Sequence, residues 1–245
     1  MERWCGKVAV VTGASGGIGK AIVKSLVQNG LVVVGLARRV EIIEKLAEEL
    51  KGSKGELKPM KCDIRNEDEI KGVFDWIEKD LGTVHVLVNN AAVLSVQPLD
   101  ECEGEVLKSM FDTNVVALSL FAKHTLKLMR DSAVPEGHII NINSYVGHLI
   151  FGVHGMAPYS ASKNAVTVLT EAFRRELGAH NKNIKVTSLS PGLVETEMTN
   201  GLVVPDEVPQ LKPEDVSDTV LYVLSTPPGV NITELTVMKV GDVIF

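Results

Sequence analysis

Tyr159 and Lys163 stand four residues apart in "YSASKNAVTVL", residues 159–169, at the head of an apolar-periodic run. Four residues make about one helical turn, so both side chains would share one face. A free phenol has a pKa of about 10 and is a poor acid–base group near neutrality. A neighbouring ammonium favours the phenolate, so Lys163 is expected to lower the Tyr159 value. The pair then reads as a proton-transfer device. Taken alone, the spacing also fits two polar residues at an ordinary helix end.

A second chemical signal precedes it. "TGASGGIG", Thr12 to Gly19, follows the first strand-like run and opens the first helix-like one, with glycines at 13, 17 and 19. Glycine permits positive φ and close backbone approach. The helix start offers free N–H groups and the positive end of its dipole to a pyrophosphate. In this position the loop favours dinucleotide binding over a plain turn.

The second strand-like run ends in "GLARRV". An NAD site usually places an acid there for the ribose 2′-hydroxyl. Here Ala37 takes that place, followed by Arg38 and Arg39. Two guanidiniums suit a 2′-phosphate, so the expected cofactor is NADP(H). The bland reading is a pair of solvated arginines, but bases are mildly unfavourable at a helix N-terminus. "CDI", residues 62–64, ends the third run and puts Asp63 where it could reach an adenine or simply open a helix.

These residues need a scaffold that brings strand ends together. Strand-like runs cover Val8–Thr12, Val32–Leu36, Leu57–Cys62, Val84–Val88, His138–Asn143, Ile184–Leu189 and Leu235–Val240. Helix-length segments lie between them: Gly17–Gln28, Val40–Lys51, Glu67–Asp80, Glu103–Arg130, Pro158–His180 and Pro213–Ser225. The alternation predicts βαβ units and a doubly wound, seven-stranded parallel sheet. Residues 1–245 read as a single domain. Cofactor motifs fall mainly in 8–92, the catalytic and substrate part in 93–245.

The chain of 245 residues is 45% hydrophobic, enough for a large core without disulfides. Its net charge of −6 and the lack of a basic stripe argue against nucleic acid. Cys5, Cys62 and Cys102 form no C-x-x-C, and no His cluster calls for a metal. With neither a signal peptide nor a transmembrane run in the sequence, a cytoplasmic protein is expected.

The motifs together resemble the short-chain dehydrogenase/reductase family over nearly the full chain. "TGASGGIG" resembles its glycine loop, and "NNAA", Asn89–Ala92, its NNAG motif. Asn114, Ser144, Tyr159 and Lys163 fall where the family has its catalytic tetrad. "SPGLVET", Ser190–Thr196, resembles the loop that closes over the nicotinamide. Within the family, "INSYVGH", "YSASKNAVTVLTEAFRREL" and "SPGLVETEM" are most similar to the cluster that holds dehydrogenase/reductase member 11 and the insect farnesol dehydrogenases. Two departures stand out. Ala92 replaces a glycine, and Tyr159 follows Ser144 by fifteen residues, two more than is common in the family. That cluster shares the longer loop.

The resemblance implies a role for each position. Tyr159 acts as general acid in reduction and general base in oxidation. Lys163 also holds the nicotinamide ribose, Ser144 donates to the substrate oxygen, and Asn114 binds a water of a proton relay. Without the resemblance, Asn114 reads as an exposed polar helix residue. Cofactor contacts are implied at Gly13, Ser15, Gly17, Ile18, Gly19, Arg38, Arg39, Asp63, Ile64, Asn90, Ala91, Ala92, Tyr159, Lys163, Pro191, Gly192, Val194 and Thr196.

The substrate pocket is expected from Val93, Leu94, Leu149, Ile150, Phe151, Val153, Met156, Leu193, Met198, Leu202, Val203 and Val204, which suits a lipophilic alcohol or carbonyl compound. Residues 193–209 read as an apolar lid. An isoprenoid such as farnesol, a hydroxysteroid and a simple ketone remain alternatives. So does a regulator that senses NADP(H) without turnover. The two long helices imply a homodimer or homotetramer.

Overall fold

The computed structural model describes residues 1–149, 154–180, 183–200, 202 and 208–242. Seven parallel strands form one sheet in the order β3-β2-β1-β4-β5-β6-β7. They are β1 (Val8–Thr12), β2 (Val32–Ala37), β3 (Glu56–Lys61), β4 (Val86–Asn89), β5 (Gly137–Ile142), β6 (Ile184–Pro191) and β7 (Glu234–Val237). The helices are α1 (Gly17–Gln28), α2 (Val40–Glu49), α3 (Glu67–Leu81), α4 (Gly104–Phe111), α5 (Leu118–Asp131), α6 (Ala157–His180) and α7 (Pro213–Ser225).

Both faces of the sheet are covered, and strand residues divide between them by alternation. Ala9 and Val11 of β1 join a core with Ile22 and Leu26 of α1, Ile43 of α2 and Val220 of α7. Val8 and Val10 join the opposite core, with Phe74 and Ile77 of α3 and Phe121 of α5. The order reverses where β1 sits between β2 and β4. That switch point opens a crevice beyond the carboxyl ends of the strands, and the glycine loop lies in it.

Two elements depart from the sequence reading. The helix expected over Glu103–Arg130 is interrupted by a π turn at Asp112–Ala117. Thr113, Val115 and Val116 are β-branched and Asn114 is a weak helix former, so the widened turn falls where α preference is lowest. The last strand stops at Val237, short of Val240. There the chain turns through Gly241 at φ 88°, and the Asp242 N–H donates to the Lys239 carbonyl. The other boundaries agree within two residues.

Candidate active site

The glycine loop is shaped by contacts that no side chain could share. Gly13 has φ 69°, and a Cβ on Gly19 would lie 2.2 Å from the Gly13 carbonyl oxygen. Gly19 is thus a packing glycine that seats α1 against the loop, and it is off the cleft wall. Asn90 Nδ2 donates to the Thr12 oxygen at 2.8 Å, and the Asn90 and Ala91 N–H groups both donate to Thr12 Oγ1 at 3.0 Å. The NNAA segment therefore fastens the start of the glycine loop. Gly16 caps α1 without a side chain, and no acid stands in the first turn. By contrast, α3 opens with Glu67, Asp68 and Glu69 under an Asn66 cap. The N–H groups and dipole of α1 are left for an anion.

From this loop runs a cleft of 890 Å³. Its walls include Gly13, Ser15, Gly17, Ile18, Arg38, Arg39, Asp63, Ile64, Asn90, Ala91, Ala92, Tyr159, Lys163 and Thr196. Fourteen of the expected positions thus meet in one cavity. Its size and a helix start that no side chain caps fit a dinucleotide. Pro191, Gly192 and Val194 are not on its wall. Pro191 ends β6, the Gly192 N–H donates to the Val237 carbonyl, and the Val194 side chain is buried against the α1–α7 core.

Ser144 sits just past β5 and hydrogen-bonds the Tyr159 phenol. Burial pushes that phenol up to about 12, the Ser144 bond opposes the rise, and Tyr145 adds to it. The shift runs upward, opposite to the lowering expected from Lys163. The Lys163 Nζ lies 5.8 Å from the Tyr159 ring centre and donates to the Ile142 carbonyl at 3.0 Å. Burial also presses the Lys163 ammonium down to about 8, so much of its charge would be lost in alkaline solution.

Asn114 is buried, not exposed. Its Oδ1 accepts from the Val93 N–H at 2.8 Å, and its Nδ2 donates to the Val93 carbonyl at 3.0 Å and to Ser162 Oγ at 3.1 Å. Ser162 Oγ in turn donates to the Tyr159 carbonyl at 2.7 Å. The π turn thereby clamps the loop after β4 to the helix that bears Tyr159 and Lys163. π turns often occur where a side chain must be aimed for function.

At the other end of the cleft, Arg38 and Arg39 are exposed. Asp63 is not free to serve an adenine alone. Arg65 binds its carboxylate through Nε at 3.2 Å and Nη2 at 2.9 Å, holding it below the usual range. Arg65, Ser109, Thr113 and Glu197 line the cleft and were not anticipated. Arg65 follows Asp63 closely in "CDIRN" and was within reach of the motif reading. Glu197 carries no local signal.

Of the expected substrate residues, Val93, Leu94 and Met198 line the cleft. Met156 is buried, Leu149 is exposed, and Leu193 and Leu202 are half-buried. Ile150, Phe151, Val153, Val203 and Val204 lie outside the described residues. Among the described residues no metal-binding cluster occurs, and no helix is long and apolar enough to cross a membrane.

Residues 7–205 match the family model described as short chain dehydrogenase. A farnesol dehydrogenase of Aedes aegypti is 48% identical over 244 residues, covering 99% of each chain. The human dehydrogenase/reductase SDR family member 11 is 43% identical over 246 residues, covering 96% of this chain and 95% of the relative. Among solved structures, a metagenomic short-chain oxidoreductase in complex with NADP is similar at TM-score 0.82 and 31% identity, covering 96% of this chain and 97% of that one.

Proposed function

The chain belongs to the short-chain dehydrogenase family, and on that footing we propose that it is an NADP(H)-dependent enzyme interconverting a lipophilic alcohol and its aldehyde or ketone. The observation that carries this reading is the meeting of Tyr159 and Lys163 with the glycine loop in one cleft, with Ser144 bonded to the phenol. A nicotinamide bound there would supply the hydride chemistry. The chain's part is to hold and move a proton. Tyr159 Oη gives it to the substrate oxygen in reduction and takes it back in oxidation. Ser144 steadies the developing charge on that oxygen. Lys163 holds the ribose, and Asn114 keeps the clamped loop and α6 in register.

NADP(H) is favoured by Arg38 and Arg39 standing exposed at the end of β2, with Ala37 in place of an acid. A lipophilic substrate is favoured by Val93, Leu94 and Met198 on the wall, and an isoprenoid such as farnesol comes first because of the mosquito relative. A panel of alcohols and carbonyls followed by NADPH absorbance tests this. Each buried methylene contributes about 0.8 kcal/mol, so kcat/KM rises several-fold per pair of carbons until the pocket fills. Met198→Ser should flatten that slope and spare the shortest substrates. Profiles of wild type and variant that run parallel would point to a small polar carbonyl compound instead.

The same reading includes a cytoplasmic setting and a homodimer or homotetramer. Val116, Val168 and Leu169 are exposed on the π turn and α6, whereas Phe121 and Val166 are buried. Sedimentation at micromolar concentration should give at least twice the monomer mass. A monomer there removes the assembly.

A further inference from the structure

We infer that Glu197 is a specificity-determining residue: its carboxylate occupies the anion site of Arg39, so a 2′-phosphate must displace it. This rests on the NADP(H) reading. Arg39 Nη2 lies 3.4 Å from Glu197 Oε2, and both residues line the cleft. They come from opposite sides of it, Arg39 from the end of β2 and Glu197 from the segment after β6. That segment is firmly built. Val194 bridges to Leu211, and the Glu195 N–H donates to the Leu211 carbonyl at 2.9 Å. Thr199 Oγ1 donates to the Val194 carbonyl at 2.7 Å and accepts from the Thr196 N–H at 3.1 Å. The resulting turn sets Thr196 over Gly17, within 3.0 Å of where a Cβ would stand, and Glu197 against Arg39.

Glu197 and a 2′-phosphate are both anions, and they compete for the Arg39 Nη2 donor that Glu197 now holds. Binding NADP(H) therefore exchanges one anion for another at Arg39. A cofactor without that phosphate leaves the pair intact. Glu197 thus lowers the preference for NADP(H) that the arginines create. The pair is exposed, with side chains 58% and 79% accessible, so its effect is modest.

The test is calorimetric titration of the protein with 2′,5′-ADP and with 5′-AMP. Glu197→Gln, which keeps size and removes charge, should tighten 2′,5′-ADP between about two- and tenfold and leave 5′-AMP unchanged. In an Arg39→Ala background the same change should have little effect, since the contested cation is gone. A gain that persists undiminished in that background would overturn the exchange at Arg39 and leave only a general loss of negative charge. A wild-type preference for 2′,5′-ADP that Glu197→Gln does not raise would overturn this inference alone. Equal wild-type affinity for the two nucleotides would overturn the NADP(H) reading and this inference with it.

Discussion

Tyr159→Phe should lower kcat by about 10²–10⁴-fold, the usual contribution of a positioned acid or base, while cofactor affinity stays close to wild type. Phenylalanine keeps the ring and its packing on α6 and removes only the transferable proton. The direction of the pH dependence follows from the phenol's environment. Burial holds Tyr159 up to about 12, so it stays protonated throughout the neutral range. Reduction needs that proton and should be nearly flat with pH below the phenol's pKa. Oxidation needs the phenolate and should climb as pH rises through the neutral and alkaline range. Lys163→Ala should weaken cofactor binding as well as turnover, because Lys163 lines the same cleft. Steady-state rates in both directions from pH 6 to 10, with cofactor binding followed by fluorescence, check each part. Near-normal turnover by Tyr159→Phe would mean that another group is the acid.

NADPH should exceed NADH in kcat/KM by at least about tenfold, and Arg38→Ala together with Arg39→Ala should remove most of that margin. A hydrogen bond to a charged group contributes roughly 1.5–3 kcal/mol. Both guanidiniums are solvated here, so the lower end applies, about tenfold in affinity. The two arginines are not equivalent. Arg39 is engaged by Glu197, whereas Arg38 is exposed with its charge felt at Asp63. Arg38→Ala should therefore cost more NADPH affinity than Arg39→Ala. Kinetics of the two single variants and the double variant with both cofactors measure this. Equal wild-type efficiencies with NADH and NADPH would remove the assignment.

Much of the molecule follows from local chemistry alone. The alternation of short continuous apolar runs with longer amphipathic ones places β1, α1 and β2 almost to the residue, because both patterns are written by neighbours in the chain. The glycine loop is legible for the same reason. So is the face shared by Tyr159 and Lys163, which depends only on one turn of α6. Even Arg38 and Arg39 need no more than their place after a strand.

Other features are decided where distant segments meet. The π turn exists in a stretch whose local preference is merely weak, and its use is revealed only by Val93, twenty-one residues away. That contact turns Asn114 from a surface residue into a buried clamp. The Tyr159 phenol is governed less by its helical neighbour than by desolvation, and desolvation is a property of everything packed around it. The same burial presses the ammonium of Lys163, the group expected to do the lowering, down to about 8. Glu197 and Arg39 are 158 positions apart, and only the crossing of β2 and the segment after β6 over one crevice makes them partners. Spacing along a chain sets which side chains share a face. The fold alone sets which of them lose water and which charge each one meets.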